Sequence, residues 1–450
     1  MSDKFRTINR DTPYLLPPSL QDWLPENHLS RFVVDIVERL DLQEIETRYG
    51  GGGKAPYHPA ILLSLLFYGY ATGTFSSRKL EQATYDSVAF RFITADTHPD
   101  HDTIATFRKR FLKELEGLFV QILIVAKALG LFKMGNVSLD GTKVKANASK
   151  HKAMSWGYAN KLEEQLRREV ELLLKKAEQA DTEEEPELDI PEELKRREDR
   201  LAAIAKAKEE MERRARERFE KEQAEYEEKV KRRQKQEEET GKKARGRTPR
   251  PPQEGPQEKD QVNFTDEESR IMPSSAGFVQ AYNAQATVDT ATHLIVENHL
   301  TQQPNDKQEV EPTLAALKAM EEPLGKAQGL LADTGYFSES NVNRCEAQEI
   351  LPYICDSRER HNQRLEERLK QPPPCPEDAD ALALMRHRLS TPAGKSVYAQ
   401  RKSTVETVFG IIKEVMGFRQ FHLRGREAAQ GEWNLVCMAW NLKRIHALGS

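Results

Sequence analysis

Apolar residues recur at helical spacing through the first 130 positions of the chain. RFVVDIVERL places them three and four apart, which predicts an amphipathic helix over residues 31–40. GGGKAPYHP then reads as a hinge, and Ala60 to Tyr70 as a helix apolar enough to be buried and too short to cross a membrane. SSRKLEQATYDSVAFRFI predicts another helix with Ser76 or Ser77 as its N-cap. PDHDTIATFRKRFLKELEGLFVQILIVAKALGLF predicts a long helix beginning near Thr103 and capped by Asp102. On it Ile104, Phe107 and Phe111 face the core, while Thr103, Thr106, Arg108, Lys109 and Arg110 face outward. The connecting TADTHPDHD gives this pair the length and polarity of a helix-turn-helix, whose polar face would read DNA. A bundle that only packs on the rest of the chain or mediates dimerisation is the other reading.

Beyond residue 130 the periodicity changes. Residues 136–146 alternate through Val137, Leu139, Gly141 and Val144, the pattern of a strand. Residues 158–262 are rich in Glu, Lys and Arg; they predict two long helices as an antiparallel hairpin, separated at TEEEPELDIPEE and followed by a disordered linker, GKKARGRTPRPPQEGPQEKDQ. GFVQAYNAQATVD and HLIVENHLTQ predict two strands joined at TATH. A helix from Lys307 to Met320, a strand ending at Asp333, a helix after Ser338, a strand ILPYIC and terminal helices follow. Without the charged segment the order is β, ββ, α, β, α, β, α. That predicts an α+β chain with a ribonuclease H-like mixed five-stranded sheet flanked by helices, an all-α N-terminal domain and a long charged helical insertion. The expected divisions are 1–130, then 131–157 with 263–450, interrupted by 158–262.

A net charge of −4 over 450 residues gives no global basic signature. The distribution changes that picture: Lys395 to Arg426 carries seven Lys/Arg against two Glu, a net of +5, continuing through Arg419, His422, Arg424 and Arg426. Four cysteines form no CxxC pair, as expected in a reducing cytoplasm. The N-terminus lacks the apolar core of a signal peptide, so the expectation is a soluble cytoplasmic protein with no membrane partner. His58, His98 and His101 have no further ligands spaced for zinc and read as loop or cap residues. Trp433 and Trp440, at helical spacing, read as core.

Three separated acidic residues carry the candidate chemistry. Asp140 lies within the strand NVSLDGTKVKA, Asp333 ends the apolar run in GLLADTGYF, and Glu406 lies on the helix VETVFGIIK. Lys413 follows Glu406 by seven residues, which at about 100° per residue returns it to nearly the same helix face. Carboxylates brought from two strands and a helix make an all-oxygen site for Mg²⁺ or Mn²⁺, and a divalent ion both relieves their repulsion and activates water on a phosphodiester.

With these residues in hand, the chain resembles the DDE transposases of bacterial insertion sequences, in the group with a helical N-terminal domain and a charged helical insertion. The matching pieces are NVSLDGTKVKANASKHK, YNAQATVD, DTGY at Asp333, VETVFGIIK at Glu406, PDHDTIATFRKRF and NLVCMAWNLKRI. The resemblance implies that Asp140, Asp333 and Glu406 hold two metal ions, Asp140 bridging both, with Lys413 near the scissile phosphate. The basic stretch from Lys395 to Arg426, with Tyr398, Arg401, Lys402 and Arg419, is expected from its charge to contact DNA phosphates. The family's arginine precedes its glutamate with three residues between; here Lys402 has that spacing, while Arg401 is separated by four and Tyr398 is displaced with it. The implied activity is cutting double-stranded DNA at element ends and joining the 3′-hydroxyls to target DNA, by a homodimer or higher assembly on DNA. A nuclease of the same fold that cleaves without joining and an inactive DNA-binding relic are the alternatives.

Overall fold

The computed structural model describes residues 19–49, 56–180, 190–240, 248–274, 277–357, 374 and 379–449. The residues divide into two compact units, one made of Met1–Val144, Asn283–Leu423 and Glu427–Ser450, the other of Lys145–Tyr282 and Arg424–Arg426.

The first unit begins with helices α1 (Leu20–Trp23), α2 (Leu29–Val37), α3 (Gln43–Glu46), α4 (Pro59–Ala71), α5 (Ser77–Asp86), α6 (Val88–Ile93), α7 (His101–Arg110) and α8 (Glu114–Ala128). Helix α4 starts with Pro59 at its first turn and a His58 cap, and nearly all of its apolar length is buried, as its all-round hydrophobicity requires. The hinge expected at GGGKAPYHP lies partly outside the described residues. Three expectations need correction. The helix expected over SSRKLEQATYDSVAFRFI breaks at the extended Ser87 into α5 and α6. The cap of α7 is Asp100, whose side chain accepts from the Thr103 amide at 2.7 Å, not Asp102. The long helix expected after it breaks at Phe111 and resumes as α8.

Strand β1 (Asn136–Lys145) pairs in parallel with β7 (Gly329–Ala332), which pairs in parallel with β8 (Leu351–Ile354). On the other side β1 neighbours β5 (Gly277–Asp289), whose Asn283–Val288 stretch pairs antiparallel with β6 (Ile295–Thr301). The sheet is therefore mixed, as expected. Its strand count is not five: β4 (Arg270–Ser274) pairs antiparallel with the start of β5 and makes a sixth. Helices α11 (Val310–Ala319), α12 (Glu321–Leu324) and α13 (Glu339–Ala347) come between the strands; α14 (Ala381–Ser390), α15 (Pro392–Ser403), α16 (Val405–Gly410), a π turn (Ile411–Val415) and α17 (Arg426–Gly449) close the chain. Helix α17 is fastened to the β5–β6 hairpin. Trp433 and Trp440 donate their indole N–H groups to the Gln285 and His293 carbonyls at 3.0 and 2.9 Å, and Asn441 bonds both backbone groups of Ile295.

In the second unit, β2 (Ala153–Ser155) pairs antiparallel with β3 (Gln261–Asn263), and between them run α9 (Trp156–Ala180) and the 51-residue α10 (Ile190–Thr240). The helices are antiparallel, since Glu163 pairs with Lys208 and Glu169 with Arg197. Leu162, Leu166, Ile204, Ala207 and Met211 form a buried seam with Met154 and Val262. At about 1.5–3 kcal/mol per large buried side chain, against about 0.3–0.5 for an exposed i,i+4 ion pair, that seam rather than the many surface pairs holds the hairpin. Of the expected disordered linker, residues 241–247 lie outside the described residues. Residues 248–260 run as coil held by Arg218, which donates to the Gly255 carbonyl and both Asp260 oxygens, so that part of the expectation is corrected.

Candidate active site

Asp140 lies midway along β1, on a strand whose neighbours Val137, Ser138 and Leu139 are all buried. Its Oδ1 accepts from the Gly141 amide at 2.8 Å. Asp333 falls one residue past β7, where its carboxylate accepts from the Gly335 amide at 2.8 Å and caps the turn Thr334–Tyr336. Glu406 projects from the first turn of α16 with its side chain about half exposed. A single guanidinium joins two of the three: Arg401 Nη1 is 3.6 Å from Asp140 Oδ2 and Nη2 is 2.9 Å from Glu406 Oε1.

The electrostatics bring in the third. Burial, with the charges of Asp333 and Asp306 adding to it, pushes the Asp140 carboxyl up to about 7 against the pull of the Gly141 N–H and Arg401. Burial opposes the charged form of Arg401, but Tyr398, Asp140, Glu406 and Asp333 together hold it above its ordinary value. Asp140 is thus a carboxylate short of positive charge at neutral pH.

Lys413 lies in the π turn, closed by the Met416 amide donating to the Ile411 carbonyl at 2.9 Å. The steps from Glu406 to Gly410 are α-helical and only the last ones to Lys413 pass through the wider π winding, which shifts the rotation between the two residues. Lys413 Nζ bonds the Thr142 hydroxyl and donates to the Lys143 carbonyl at 3.2 Å, two and three residues along β1 from Asp140. Burial lowers both Lys413 and Lys143 from the usual ammonium range.

The spacing question at Arg401 has a geometric answer. Helix α15 ends at Ser403, and Thr404, at φ −101° and ψ −91°, is neither α nor β before α16 begins. The break absorbs the additional residue, so Arg401 reaches the carboxylates while Lys402 is exposed. Tyr398 is half-buried near Arg401, its phenol raised by burial and by Cys355. Arg419 is exposed, donating to the Lys413 carbonyl at 3.1 Å and paired with Glu414.

The proposed DNA-reading face of α7 requires one correction. Arg108 is only 6% exposed, and its Nη1 donates to the Tyr70 hydroxyl and the Phe75 carbonyl, each at 2.9 Å. Tyr70 donates in turn to the fully buried Glu432 at 2.9 Å. A guanidinium committed to that network is not available to DNA. Thr103 is bonded through its amide and hydroxyl to Asp100. Thr106 and Lys109 are exposed; Arg110 is exposed too, donating to the Arg48 carbonyl at 2.6 Å over the Tyr49 ring. His98 bonds the Thr84 hydroxyl at 3.1 Å and His101 pairs with Glu81 at 2.7 Å.

Several groups beside Asp140 were not singled out from the sequence. Asp306 Oδ1 accepts from Asn283 Nδ2 at 2.6 Å and Gln285 Nε2 at 2.8 Å, with Lys143 Nζ 3.7 Å away. Gln285 Oε1 accepts from the Tyr336 hydroxyl at 2.5 Å. The available signal was YNAQATVD itself: Asn283, Gln285 and Thr287 share one face of β5, and buried polar residues at period two in an otherwise apolar strand must find partners.

The donor set suits a hard divalent cation, being oxygen only, with one carboxylate under-neutralised. Among the described residues no three His, Cys, Asp or Glu side chains are gathered closely enough to hold a metal ion, and Arg401 provides the positive charge between Asp140 and Glu406. Among the described residues, too, no helix is long and apolar enough to cross a membrane.

Residues 252–442 match the family described as the transposase DDE domain, and residues 18–110 match the transposase domain family DUF772. Neither a curated protein nor a solved structure matches the chain.

Proposed function

Because the chain belongs to the DDE transposases of bacterial insertion sequences, we propose that it cuts DNA at the ends of its element and joins the freed 3′-hydroxyls to target DNA. The observation that carries this reading is the convergence on Arg401 of Asp140 and Glu406, with Asp333 felt electrostatically by both Asp140 and Arg401. These residues are far apart in sequence, and the β6-β5-β1-β7-β8 part of the sheet that supports them is consistent with a ribonuclease H-like core.

In this reading Asp140, Asp333 and Glu406 hold two Mg²⁺ or Mn²⁺ ions, which when bound supply Lewis-acid activation of the attacking oxygen and neutralise the departing one. Lys413, fixed by Thr142 and the Lys143 carbonyl, presents an ammonium beside β1 where a phosphate can be oriented. Arg401 keeps Asp140 and Glu406 from repelling each other before DNA and metal arrive. In the first displacement water attacks phosphorus and the bond to the 3′ oxygen breaks, leaving a 3′-hydroxyl and a 5′-phosphate; in the second that hydroxyl gives up its proton as its oxygen attacks a target phosphorus, and the target's own bond from phosphorus to 3′ oxygen breaks, releasing a 3′-hydroxyl on the target strand. No covalent protein intermediate is needed. Residues 1–130 serve as the DNA-binding domain through exposed groups such as Thr106, Lys109 and Arg110, 131–157 with 263–450 as the catalytic domain, and 158–262 as an insertion. The assembly on DNA is a dimer or larger, acting in the cytoplasm.

The test is Mg²⁺-dependent cleavage and joining of DNA carrying the gene's own flanking ends, with Asp140→Ala and Glu406→Ala beside the unaltered chain. Nicked and joined products from the unaltered chain alone are expected. Cleavage without joining would replace this reading with a nuclease, and binding without cleavage with an inactive relic.

A further inference from the structure

We propose that Asp306, which is outside the three-carboxylate set, is a positioning residue that holds the Asp140 strand and the Asp333 turn in one fixed arrangement. The inference deepens the transposase reading and rests on it for its catalytic consequence.

Gly141 follows Asp140 on β1. A Cβ there would collide with Gln285 Nε2 and come within 2.7 Å of Asp306 Oδ1 and 2.8 Å of Asn283 Oδ1. Three polar side chains therefore press directly on β1 beside the candidate metal ligand, in a space only glycine leaves open. Asp306 dictates how two of them point. Asn283 Nδ2 donates to Asp306 Oδ1 at 2.6 Å and to the Gln303 carbonyl at 3.1 Å, so its amide can be oriented only one way. Gln285 Nε2 donates to the same Asp306 oxygen at 2.8 Å, which turns Gln285 Oε1 toward Tyr336, whose hydroxyl donates to it at 2.5 Å. Were the Gln285 amide reversed, its oxygen would face a carboxylate, and the mismatch is costly in a fully buried group.

Tyr336 completes the link. It is buried in the turn that Asp333 caps, three residues after that carboxylate. The chain of contacts runs from Asp306 through Gln285 to Tyr336, and touches β1 at Gly141 on the way. Asp306 is not spent on capping α11, for that helix has no side-chain cap. Lys143, whose backbone carbonyl receives Lys413, has its Nζ 3.7 Å from Asp306 Oδ1, and Asp306 Oδ2 would lie 3.8 Å from a Cβ placed on Gly335. One carboxylate thus fixes groups beside Asp140, Asp333 and Lys413 while acting on DNA only through them.

Two variants separate this role from a merely structural one. Asp306→Ala removes the acceptor; Asp306→Asn keeps an oxygen where Asn283 and Gln285 donate. With Asp306→Ala the cleavage rate constant should fall about tenfold to a hundredfold, the cost of slight misplacement of reacting groups, while affinity for end DNA stays within about threefold. Asp306→Asn should recover most of the rate. Hydrogen–deuterium exchange of the full chain reads the linkage without relying on activity: Asp306→Ala should speed exchange at residues 334–337 as well as around 303–309, and Asp306→Asn should restore protection at 334–337. Unchanged exchange at 334–337 in Asp306→Ala, or an Asp306→Asn variant as impaired as Asp306→Ala, overturns the inference. If the unaltered chain cuts no DNA, the transposase reading fails by itself, and the exchange data still decide whether Asp306 holds the turn.

Discussion

Replacing Arg108 by alanine takes away a buried cation, and its cost follows from the partners. The Phe75 carbonyl loses a 2.9 Å donor, as does the Tyr70 hydroxyl. A buried acceptor left unmet costs about 1–3 kcal/mol. Arg108 also helps hold the Glu432 carboxyl below its usual range in spite of complete burial, and breaking a buried charge pair costs about 3–5 kcal/mol. The two figures overlap because both count the same desolvation. Glu432 keeps donors from the Tyr70 hydroxyl, the His422 ring and the His422 and Leu423 amides, which favours the low end, about 3 kcal/mol. At roughly 1–2 °C per kcal/mol for a unit of this size, Arg108→Ala should lower the melting midpoint by about 3–6 °C, measured by circular dichroism or calorimetry. Lys109→Ala, one residue along and exposed, is the control and should change stability by less than about 0.5 kcal/mol. An Arg108→Ala protein that melts with the unaltered chain yet loses affinity for element ends would refute the buried-network account and return Arg108 to the DNA face.

Arg401→Gln should slow cleavage by about a hundredfold, on the scale of removing one positioned charge donor from an active site, while Lys402→Gln leaves the rate nearly unchanged; equal losses would refute the assignment of Arg401 over Lys402. Because the folded-state Asp140 carboxyl is raised to about 7, its ionisation destabilises the fold progressively as pH climbs from the ordinary carboxylate range, fully above 7. Asp140→Asn should therefore raise the melting midpoint at about pH 8 and hardly at about pH 4, and added Mn²⁺ should stabilise the unaltered chain at pH 8 but not the variant. His299 is raised to about 9: burial works against its charged form, but Glu297 and Glu309 at 2.8 and 3.0 Å prevail. Its contribution is fully present below the ordinary histidine value and is lost as pH rises through 9, so His299→Gln should flatten the fall in melting midpoint across that window.

Elements with strong periodicity were legible in the sequence. The β5–β6 hairpin declares itself through alternation of apolar residues, buried helix α4 through its unbroken apolar run, and the paired helices α9 and α10 through their charge-rich composition. What the spacing hides are features set by partners distant along the chain. Arg108 looks like a surface residue because lone arginines are rarely buried, and nothing local announces Tyr70 or Glu432. The π turn and the break at Thr404 reset the helix phase between Arg401, Glu406 and Lys413, and a fixed rotation per residue cannot foresee either. β4 carries Pro273 and few apolar residues, so it lacks a strand signal of its own and forms by pairing with β5. Asp306 lies in a loop, where a carboxylate attracts no notice until Asn283 and Gln285 are seen pointing at it.

The β2–β3 ladder has a bearing on how such a chain can be edited. Ser155 stands opposite Gln261, so the segment between them leaves and re-enters through two adjacent strand ends, about 5 Å apart by ordinary strand spacing. Its longer helix extends about 75 Å at 1.5 Å per residue, yet the gap its removal would leave is no wider than a tight turn. The hairpin thus has the geometry of an inserted cassette closed at its base, but one whose seam also covers Met154 and Val262 of the ladder, so exchanging it for a short turn would uncover both strands.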